Sequence, residues 1–394
     1  MGRGKRKGTS GTRVPRAAGH WEARGFKVTK SAGLTLLAPP KAGKSISAAW
    51  PLSDRPFRSA LLNEQGRVVS LGFPKFFNWG EDPLDTGILE RALAEGKEVV
   101  WSEKMDGSLI IRSVVRGEVI LRTRASFDGG LYGKAARAIA KKSYPELLDP
   151  AFSPDLSLLL EFVSPDFRVV LLYPKEDLFL VGAVCHETLK QLEWPELVRL
   201  GKEHGLHLVE AHSLPRDTKA LFATVSEWKN REGIVARFGQ TLVKLKGAEY
   251  LARHRLRFAL TARAIRVICE MRDVRELKEF ESYLVSQGGD WELASDARPF
   301  VEDFIVARER AGRRFNDLEA EVAVKRVEYP ARKDFALSYA LALPLEEKVA
   351  AFALLDNNRK HALEALENAY LDTAFTTAAD VDRALAETLA EDEA

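Results

Sequence analysis

The sequence predicts an α+β protein in which a domain built on antiparallel sheets precedes an all-helical C-terminal domain. Short β-like runs dominate from about residue 31 to about residue 250, and turn pairs such as Arg116-Gly117 and Phe238-Gly239 separate several neighbouring runs. Close turns between strands favour antiparallel hairpins. Glycines become rare after about residue 255, where apolar residues recur at helical spacing. That change of pattern favours a separate domain of packed helices.

Residues 1–30 are predicted to form a basic, flexible arm. The first sixteen residues carry six basic side chains and no acidic one. A solvated tail is the plainer interpretation of this segment. The alternative is an arm that adds affinity for phosphate groups.

Residues 31–255 are predicted to form the sheet domain. Helical patterns interrupt its strands at about 131–149, 187–205 and 217–229. This arrangement is α+β and lacks a regular βαβ alternation. The predicted strands are Leu34–Ala38, Glu98–Trp101, Leu109–Val115, Val119–Thr123, Ser157–Val163, Arg168–Tyr173, Leu178–Val184, Gly233–Phe238 and Thr241–Leu245.

Residues 256–394 are predicted to form the helical domain. Phe300, Val301, Phe304 and Ile305 recur at helical spacing, and Pro299 precedes them as expected for a proline in a first helical turn. Arginines cluster in this domain. A solvated helix face is the plain interpretation of these arginines, and an RNA-binding surface is the alternative.

The composition excludes several classes of protein. Two isolated cysteines, Cys185 and Cys269, exclude a disulfide scaffold and a cysteine-rich zinc site. No apolar run is long enough to span a membrane, and no secretory signal pattern is present. We therefore expect a cytoplasmic protein without membrane contact, and a monomer is the expected oligomeric state.

A lysine in a tight turn is the first candidate for chemistry. Lys104 opens the string Lys104–Ser108, which reads Lys-Met-Asp-Gly-Ser and stands between two strand-like runs. Asp and Gly suit a tight turn. Apolar flanks would partly desolvate the amine, which lowers its pKa and yields a neutral nucleophile. A lysine in a surface turn is the plain alternative.

Two carboxylates and a lysine pair follow the candidate nucleophile. Glu161 lies in a mostly apolar strand, where a carboxylate is costly unless it meets a cation, a metal ion or a hydroxyl group. Glu232 stands at the entrance of another strand. Lys244 and Lys246 are two residues apart in one strand, so both amines point the same way, which suits a phosphate. An internal salt bridge and a solvated strand face are the plain alternatives.

Together these motifs resemble the covalent nucleotidyltransferase superfamily of polynucleotide ligases and mRNA capping enzymes. That superfamily is marked by a Lys-x-Asp-Gly motif, a Glu-bearing strand, a Glu-Gly-hydrophobic motif and a closing Lys-x-Lys. Here the motifs are Lys104–Gly107, Glu161, Glu232-Gly233, and Lys244 with Lys246. The resemblance implies an antiparallel-sheet nucleotidyltransferase domain of the ATP-grasp-like ligase type.

Further residues select one branch, because the chain is most similar to the phage-type RNA ligase 1 family, whose members repair broken tRNA. The shared features include Lys75–Asn78, which reads Lys-Phe-Phe-Asn, and Leu109 after the Lys-x-Asp-Gly-Ser string. DNA ligases and capping enzymes typically have Arg in place of Leu109. The resemblance covers roughly residues 55 to 255. In this family a helical C-terminal domain implies a preference for tRNA.

The resemblance implies a mechanism and a set of roles. Lys104 would attack the α-phosphorus of ATP and form a lysyl–AMP intermediate. AMP would pass to an RNA 5′-phosphate, giving an adenylylated RNA end, and a 3′-hydroxyl would complete the joint. Lys244 and Lys246 would hold the α-phosphate, Arg58 and Lys75 would contact the departing phosphates, and Glu161 would bind the ribose.

The resemblance also implies a divalent metal ion. Glu232 would help to hold Mg²⁺, with Mn²⁺ as an alternative, because these hard cations prefer oxygen ligands. Asp273 is a second metal-ligand candidate, since relatives carry acidic residues near that position. Tyr173, Tyr250 and His254 are further candidates for the site.

The chain departs from the family pattern after the nucleophile. The family has Ser-Lys-Gly-Ser where this chain has Thr123–Ser126, so Arg124 replaces a lysine and its role stays open. Two other functions compete with RNA joining. One is DNA ligation or mRNA capping within the same superfamily, and the other is RNA binding without catalysis on a ligase fold.

Overall fold

The computed structural model describes residues 11–38, 50–287 and 291–375. The chain divides into two compact units at the boundary between Ala252 and Arg253. The first unit carries the sheets and the second is helical, so the predicted α+β class is confirmed. None of the described helices is both long enough and apolar enough to cross a membrane.

Three sheets organise the described part of the first unit. The strands are β1 (Lys27–Ser31), β2 (Leu34–Ala38), β3 (Ala60–Leu62), β4 (Val68–Leu71), β5 (Phe77–Asn78), β6 (Val100–Lys104), β7 (Ser108–Val115), β8 (Glu118–Arg122), β9 (Leu156–Val163), β10 (Asp177–Cys185), β11 (His207–Leu208), β12 (Ala211–His212), β13 (Gly233–Phe238) and β14 (Thr241–Lys246). Sheet I has the order β1-β2-β3-β4, sheet II the order β11-β10-β9-β7-β8, and sheet III the order β12-β6-β13-β14-β5. All pairings are antiparallel except β10 with β11 and β14 with β5.

Helix α1 (Ala18–Glu22) packs against β1 of sheet I. Helices α2 (Pro83–Ala94), α3 (Gly130–Ser143), α4 (Trp194–Glu203) and α5 (Thr218–Ser226) cover the outer faces of sheets II and III. Their starts follow from local sequence: the Asp82 side chain accepts from the Asp85 N–H at the start of α2, and Asp217 caps α5 in the same way. The inner faces of sheets II and III share one apolar core, in which Leu159 and Val181 lie with Val235 and Leu242.

Residues 11–31 are folded into the first unit. Trp21 is 1% exposed and packs against Phe26 and Phe57, and β1 pairs along its length with β2. The interpretation of residues 1–30 as a flexible arm therefore does not hold for residues 11–30, because burial of aromatic side chains fixes this segment. Residues 1–10 lie outside the described residues.

Two sequence-predicted elements of the first unit differ in the structure. Arg168–Tyr173 is not a strand, because the N–H groups of Val170 and Leu171 donate to the carboxylate of Asp106 instead of to a neighbouring strand. The helix predicted at 187–205 begins only at Trp194, where Glu193 and Glu196 form a capping box. The predicted strand Leu34–Ala38 is β2. The other seven predicted strands overlap β6 to β10, β13 and β14.

The second unit is built from helices in two apolar clusters. Helix α6 (Ala248–Ala259) begins in the first unit and ends in the second. The described helices that follow are α7 (Ala262–Arg272), α8 (Leu277–Ser286), α9 (Trp291–Glu328), α10 (Arg332–Ser338) and α11 (Leu345–Leu355), and residues 359–375 are also helical. Pro299 lies inside α9 and not in its first turn, which corrects the prediction. The buried stripe of Ala297, Val301 and Phe304 continues past the proline, so packing offsets the lost backbone hydrogen bond.

Candidate active site

Lys104 is the last residue of β6 and lies beside Glu232. The pairing of Lys104 with Gly233 in sheet III places it next to the residue that precedes β13. The Nζ atom of Lys104 lies 2.7 Å from Oε1 of Glu232, and the Nζ atom of Lys246 lies 3.2 Å from the same oxygen. The Glu232 side chain is only 2% exposed. One buried carboxylate therefore joins the candidate nucleophile to the second lysine of the Lys-x-Lys pair.

The charge state of Lys104 differs from the sequence-based expectation. Burial acts to lower its pKa, but the carboxylates of Glu232 and Glu161 and the hydrogen bond to Glu232 outweigh burial, so the pKa of Lys104 is raised. The prediction of a desolvated, neutral amine is therefore wrong for this state of the protein. Lys104 carries a proton here and must lose it before it can act as a nucleophile.

Asp106 anchors the turn after Lys104 through three accepted hydrogen bonds. Its Oδ2 atom accepts from the N–H groups of Val170 at 2.8 Å and Leu171 at 2.5 Å. Its Oδ1 atom accepts from the Tyr250 hydroxyl at 2.7 Å, and its own N–H donates to the Tyr173 hydroxyl at 3.0 Å. Within the first unit, Asp106 thus ties the Lys104 turn to the 168–173 segment and to Tyr250.

We expect Asp106→Ala to destabilise the first unit far more than Asp106→Asn. Alanine leaves three donors without an acceptor, at about 1 kcal/mol each and therefore about 3 kcal/mol in total. Asparagine can accept from both backbone N–H groups and donate to the Tyr250 hydroxyl oxygen, so it should cost less than about 1 kcal/mol. Urea unfolding measures both values, with Tyr250→Phe as the single-bond control. Equal losses for Ala and Asn would contradict this account of the network.

Glycine is required at position 107 because the turn passes close to β9. A Cβ atom at Gly107 would lie 2.4 Å from the Phe162 carbonyl oxygen, which is backbone and cannot move aside. The Gly107 N–H donates to Oε1 of Glu161 at 3.2 Å. The carboxylate in the apolar strand therefore supports the Lys104 turn directly.

A cluster of positive charges adjoins Lys104. Burial first, and then the charges of Arg58 and Arg124, lower the pKa of Lys75 to about 8. Burial, followed by Lys104, Arg58 and Lys75, holds the pKa of Lys244 well below its usual value. Within the described part of the chain, neither Lys75 nor Lys244 has a carboxylate partner within 4 Å. The cluster is suited to a polyanion such as a nucleotide phosphate chain.

Aromatic rings and a buried ion pair hold the cluster in place. Lys75 lies over the ring of Phe77 at 5.2 Å, and Lys244 lies over Phe76 at 5.0 Å. The Lys75 N–H donates to the carbonyl of Arg55 at 2.9 Å. Arg55 in turn forms ion pairs with Asp82 and Asp85 at the start of α2. The Lys-Phe-Phe-Asn string is therefore part of the site, and its aromatic residues support the cations.

The donor set at Glu232 fits a hard cation. Its Oε2 atom is buried and has no hydrogen-bond partner among the described residues. A buried carboxylate oxygen without a partner is costly, and a divalent cation would satisfy it. Asp273 belongs to the second unit, where its carboxylate pairs with Arg308 at 2.8 Å and Arg275 at 2.8 Å. A metal-ligand role for Asp273 stays a prediction.

A separate group of possible metal ligands lies on the other face of β6. Ligand atoms of Glu103, Glu210 and His212 lie within 4.8 Å of one another. Arg231 lies 3.9 Å from both carboxylates and stacks on Trp228. The cluster therefore already contains a cation, and a metal ion is not needed to balance its charge.

Sequence reasoning missed Glu81 and Arg122. Glu81 accepts from the N–H and the side-chain amide of Asn78, and its charge reaches Lys75 and Lys244. Arg122 is fully buried among serines and carbonyl groups, and donates to the carbonyl of Arg124. The spacing Asn78-x-x-Glu81 could have indicated the contact between Asn78 and Glu81. The sequence around Arg122, at the end of β8, does not indicate that its side chain is buried, because that burial depends on tertiary packing.

The arginines of the second unit are largely paired with acids. Arg266 pairs with Glu270, Arg308 with Glu367, and Arg314 with Glu321 and Glu347. These pairs neutralise much of the charge that suggested an RNA-binding surface. Binding of RNA by this unit stays a prediction.

Comparison with known proteins identifies the family. A protein of Thermovibrio ammonificans named "Putative RNA ligase" is 30% identical over 218 residues, which are 50% of this chain and 52% of that protein. The chain thus matches about half the length of this curated relative. Among solved structures, an archaeal ATP-dependent RNA ligase is 20% identical with a TM-score of 0.43, covering 61% of this chain and 63% of that chain. A Naegleria gruberi RNA ligase with PPi is 16% identical with a TM-score of 0.38, covering 47% and 58%.

The match to a whole family carries more weight than any single relative. The model of a family described as RNA ligase matches residues 57–253, which is half of the chain. The matched region contains Lys104, Glu161, Glu232, Lys244 and Lys246. The protein belongs to the phage-type RNA ligase family.

Proposed function

We propose that the protein is an ATP-dependent RNA ligase that joins 5′-phosphate and 3′-hydroxyl ends through a lysyl–AMP intermediate on Lys104. One observation carries this proposal: the Lys104 amine lies 2.7 Å from buried Glu232, at the edge of a cluster of cations in which Lys75 and Lys244 have no carboxylate within 4 Å in the described part of the chain. An amine beside such a cluster is placed to meet the α-phosphate of a nucleotide while the cations hold its other phosphates.

In the first step the Lys104 nitrogen attacks the α-phosphorus of ATP. A nitrogen–phosphorus bond forms, the bond to the bridging oxygen breaks, and pyrophosphate leaves. The Lys104 proton must depart, and Glu232 is the adjacent base through which it can pass to solvent. Lys244 and Lys246 would stabilise the charge on the α-phosphate, and Arg58 and Lys75 would hold the departing pyrophosphate.

The next two steps transfer AMP and seal the RNA. An oxygen of the RNA 5′-phosphate attacks the AMP phosphorus, the nitrogen–phosphorus bond breaks, and Lys104 regains its proton. The RNA 3′-hydroxyl then attacks the activated 5′-phosphate and AMP leaves. Tyr173 and Tyr250 would hold the Asp106 turn, and so keep Lys104 in position, through all three steps.

A divalent cation would be held by Glu232. When bound, Mg²⁺ or Mn²⁺ would polarise the phosphate oxygens. It would also offset the negative charge of Glu232, and so lower the pKa of Lys104. Glu161 holds the Gly107 N–H, and a hydrogen bond from its carboxylate to the ribose is part of this proposal. We further propose that the second unit selects the RNA, with broken tRNA as one candidate. A cytoplasmic location and a monomeric state remain predictions.

The test of this function is an RNA-joining assay with the full chain. We expect ATP and Mg²⁺ to support joining of single-stranded RNA with a 5′-phosphate and a 3′-hydroxyl, and of an anticodon loop cut to give the same ends. Substrates with a 5′-hydroxyl should not be joined. Joining of nicked DNA but not RNA would replace RNA with DNA as substrate, and transfer of label from GTP would indicate capping chemistry. Tight RNA binding without any joining would favour a non-catalytic protein.

The pKa of Lys75 predicts how pyrophosphate binding changes with pH. A lysine whose pKa is lowered to about 8 is charged at pH 7 and mostly neutral at pH 9. Its attraction for an anion is therefore present below pH 8 and lost above it. We expect the affinity for pyrophosphate, measured by calorimetry, to fall about tenfold between pH 7 and pH 9 relative to a variant whose charge does not titrate.

Lys75→Arg is that variant, because arginine stays protonated throughout this range. The comparison cancels the ionisation of pyrophosphate itself, which is the same for both proteins. Parallel pH curves for wild type and Lys75→Arg would show that Lys75 does not titrate near pH 8 or does not face the pyrophosphate.

A further inference from the structure

A cavity of about 240 Å³ opens in the first unit, at the end of sheet III that is remote from Lys104. Arg237 pairs with Val100 on the same two strands on which Gly233 pairs with Lys104. Four residues of strand place the cavity roughly 13 Å from the Lys104 backbone. The lining residues that matter here are Glu98, Gln191, Glu193, Trp194, Arg237 and Phe238.

Arg237 is a cation without a counter-ion at this cavity. Its Nε atom donates to the Ser102 hydroxyl at 2.7 Å and its Nη2 atom to the Val181 carbonyl at 2.7 Å. No described carboxylate lies within ion-pair distance of it. Burial lowers its pKa to about 10, so it stays charged at neutral pH. Its guanidinium group lies over the Trp194 ring, 5.4 Å from the ring centroid. The planar guanidinium group and the planar indole ring therefore lie next to each other in the cavity lining.

Hydrogen bonds fix the wall of the cavity before any ligand arrives. The Gln191 N–H and side-chain amide donate to the Gln240 side chain and carbonyl at 2.9 and 3.1 Å. The Gln240 amide donates in return to the Gln191 carbonyl at 3.0 Å and to Glu193 at 3.1 Å. Glu193 also begins α4 through its capping box. The cavity is therefore preformed, so a ligand would not have to order its wall.

The chemistry of the lining selects one class of ligand. A phosphate is disfavoured because Glu98 and Glu193 stand exposed at the rim. A purely apolar group would add no polar partner for the charged Arg237 guanidinium beyond Ser102 and Val181. A nucleobase satisfies the aromatic face, the guanidinium donor and the carboxylate acceptors together, as protein sites for unstacked RNA bases do. Uracil lacks the exocyclic amine that the carboxylates would accept from.

We propose that this cavity binds an unstacked nucleobase that carries an amino group, from single-stranded RNA or from a free nucleotide. The RNA source rests on the proposed ligase function, whereas a free nucleotide does not. The cavity is distinct from the Lys104 site, because the residues proposed to transfer AMP do not line it.

The direct test uses short oligoribonucleotides whose blocked ends prevent joining. Fluorescence anisotropy with the full chain should show oligocytidine binding about tenfold more tightly than oligouridine or an oligomer with abasic sites, as expected for one stacked and hydrogen-bonded base. Trp194→Leu should reduce the affinity for oligocytidine to that for oligouridine. Trp228→Leu is the matched control, the same exchange at a tryptophan outside the cavity, and should keep the preference. Equal affinities for all three oligomers on wild type, or equal effects of the two exchanges, would overturn the proposal.

A cross-linking experiment on the wild type removes any dependence on how the variants fold. Oligomers that contain 5-iodocytidine should cross-link under ultraviolet light to Trp194 or Phe238, identified by mass spectrometry. Cross-links found only elsewhere would overturn the assignment. If free cytidine monophosphate abolishes the cross-link at concentrations below those of the oligomer, the natural ligand is the free nucleotide.

Covalent labelling of Lys104 by α-labelled ATP, measured in the same preparation, tests the proposed ligase function independently of the cavity. Normal labelling without a cavity cross-link overturns only the cavity assignment. A cavity cross-link without labelling supports the base site and removes the ligase chemistry.

Discussion

Replacing Lys104 with alanine should abolish transfer of AMP from ATP to the protein, by more than roughly 10⁴-fold. The variant removes the nitrogen that we assign to attack the α-phosphorus, and Lys244 and Lys246, which we assign to the phosphate oxygens, are not expected to replace it as nucleophile. The measurement is incubation with Mg²⁺ and α-labelled ATP, followed by a denaturing gel that retains only covalent label. Wild type should carry the label and Lys104→Ala should not.

Two controls make this loss specific. Lys97→Ala removes an exposed lysine from the segment before β6, where it pairs with Glu95, and should leave labelling unchanged. Thermal unfolding of Lys104→Ala should resemble that of wild type, because Lys246 still pairs with Glu232. Label that persists on folded Lys104→Ala would place the nucleophile elsewhere. Absence of label on wild type from either ATP or GTP would remove the mechanism altogether.

Much of this site could be anticipated from the order of its motifs. Side-chain alternation places Lys244 and Lys246 on one face of β14, and the register with β13 brings that face to Glu232. The position of Glu161 in an apolar strand indicated that its carboxylate needs a partner, but the expected partner was a cation, a metal ion or a hydroxyl group, whereas the structure shows the backbone N–H of Gly107. Local spacing carried this information because the strands that hold these residues are regular.

The rest depended on distances that local sequence does not encode. Apolar flanks suggested a lowered pKa for Lys104, but the pKa is decided by Glu232, which is 128 positions away in the chain and 2.7 Å away in space. The run Arg168–Tyr173 had the composition of a strand, but its N–H groups found the Asp106 carboxylate. In both cases a buried charge overrode the local pattern, because burying a charge without a partner costs more than a local preference.

Glu232→Gln should separate the two tasks that we assign to Glu232, which are to hold the Lys104 proton and to hold a divalent cation. Without the Glu232 carboxylate, burial still lowers the pKa of Lys104 and its strongest opposing influence is gone, so this pKa should be lower than in wild type, although Glu161 and Asp106 still act to raise it. Competitive chemical modification of Lys104 across a pH series, read by mass spectrometry, measures this change without relying on activity. Glu103→Gln is the matched control, because Glu103 precedes Lys104 in sequence but belongs to the cluster with His212 and Arg231.

A lower pKa alone would make Lys104 a better nucleophile at neutral pH, so the activity of Glu232→Gln decides what else the carboxylate does. If Glu232 also holds the metal ion through its buried Oε2 atom, AMP transfer should require roughly 10- to 100-fold more Mg²⁺ despite the freer amine. If Glu232 were only a counter-ion, AMP transfer would shift to lower pH and keep the wild-type Mg²⁺ requirement. That second result would contradict the metal assignment, and an unchanged pKa of Lys104 would contradict the electrostatic account of the site.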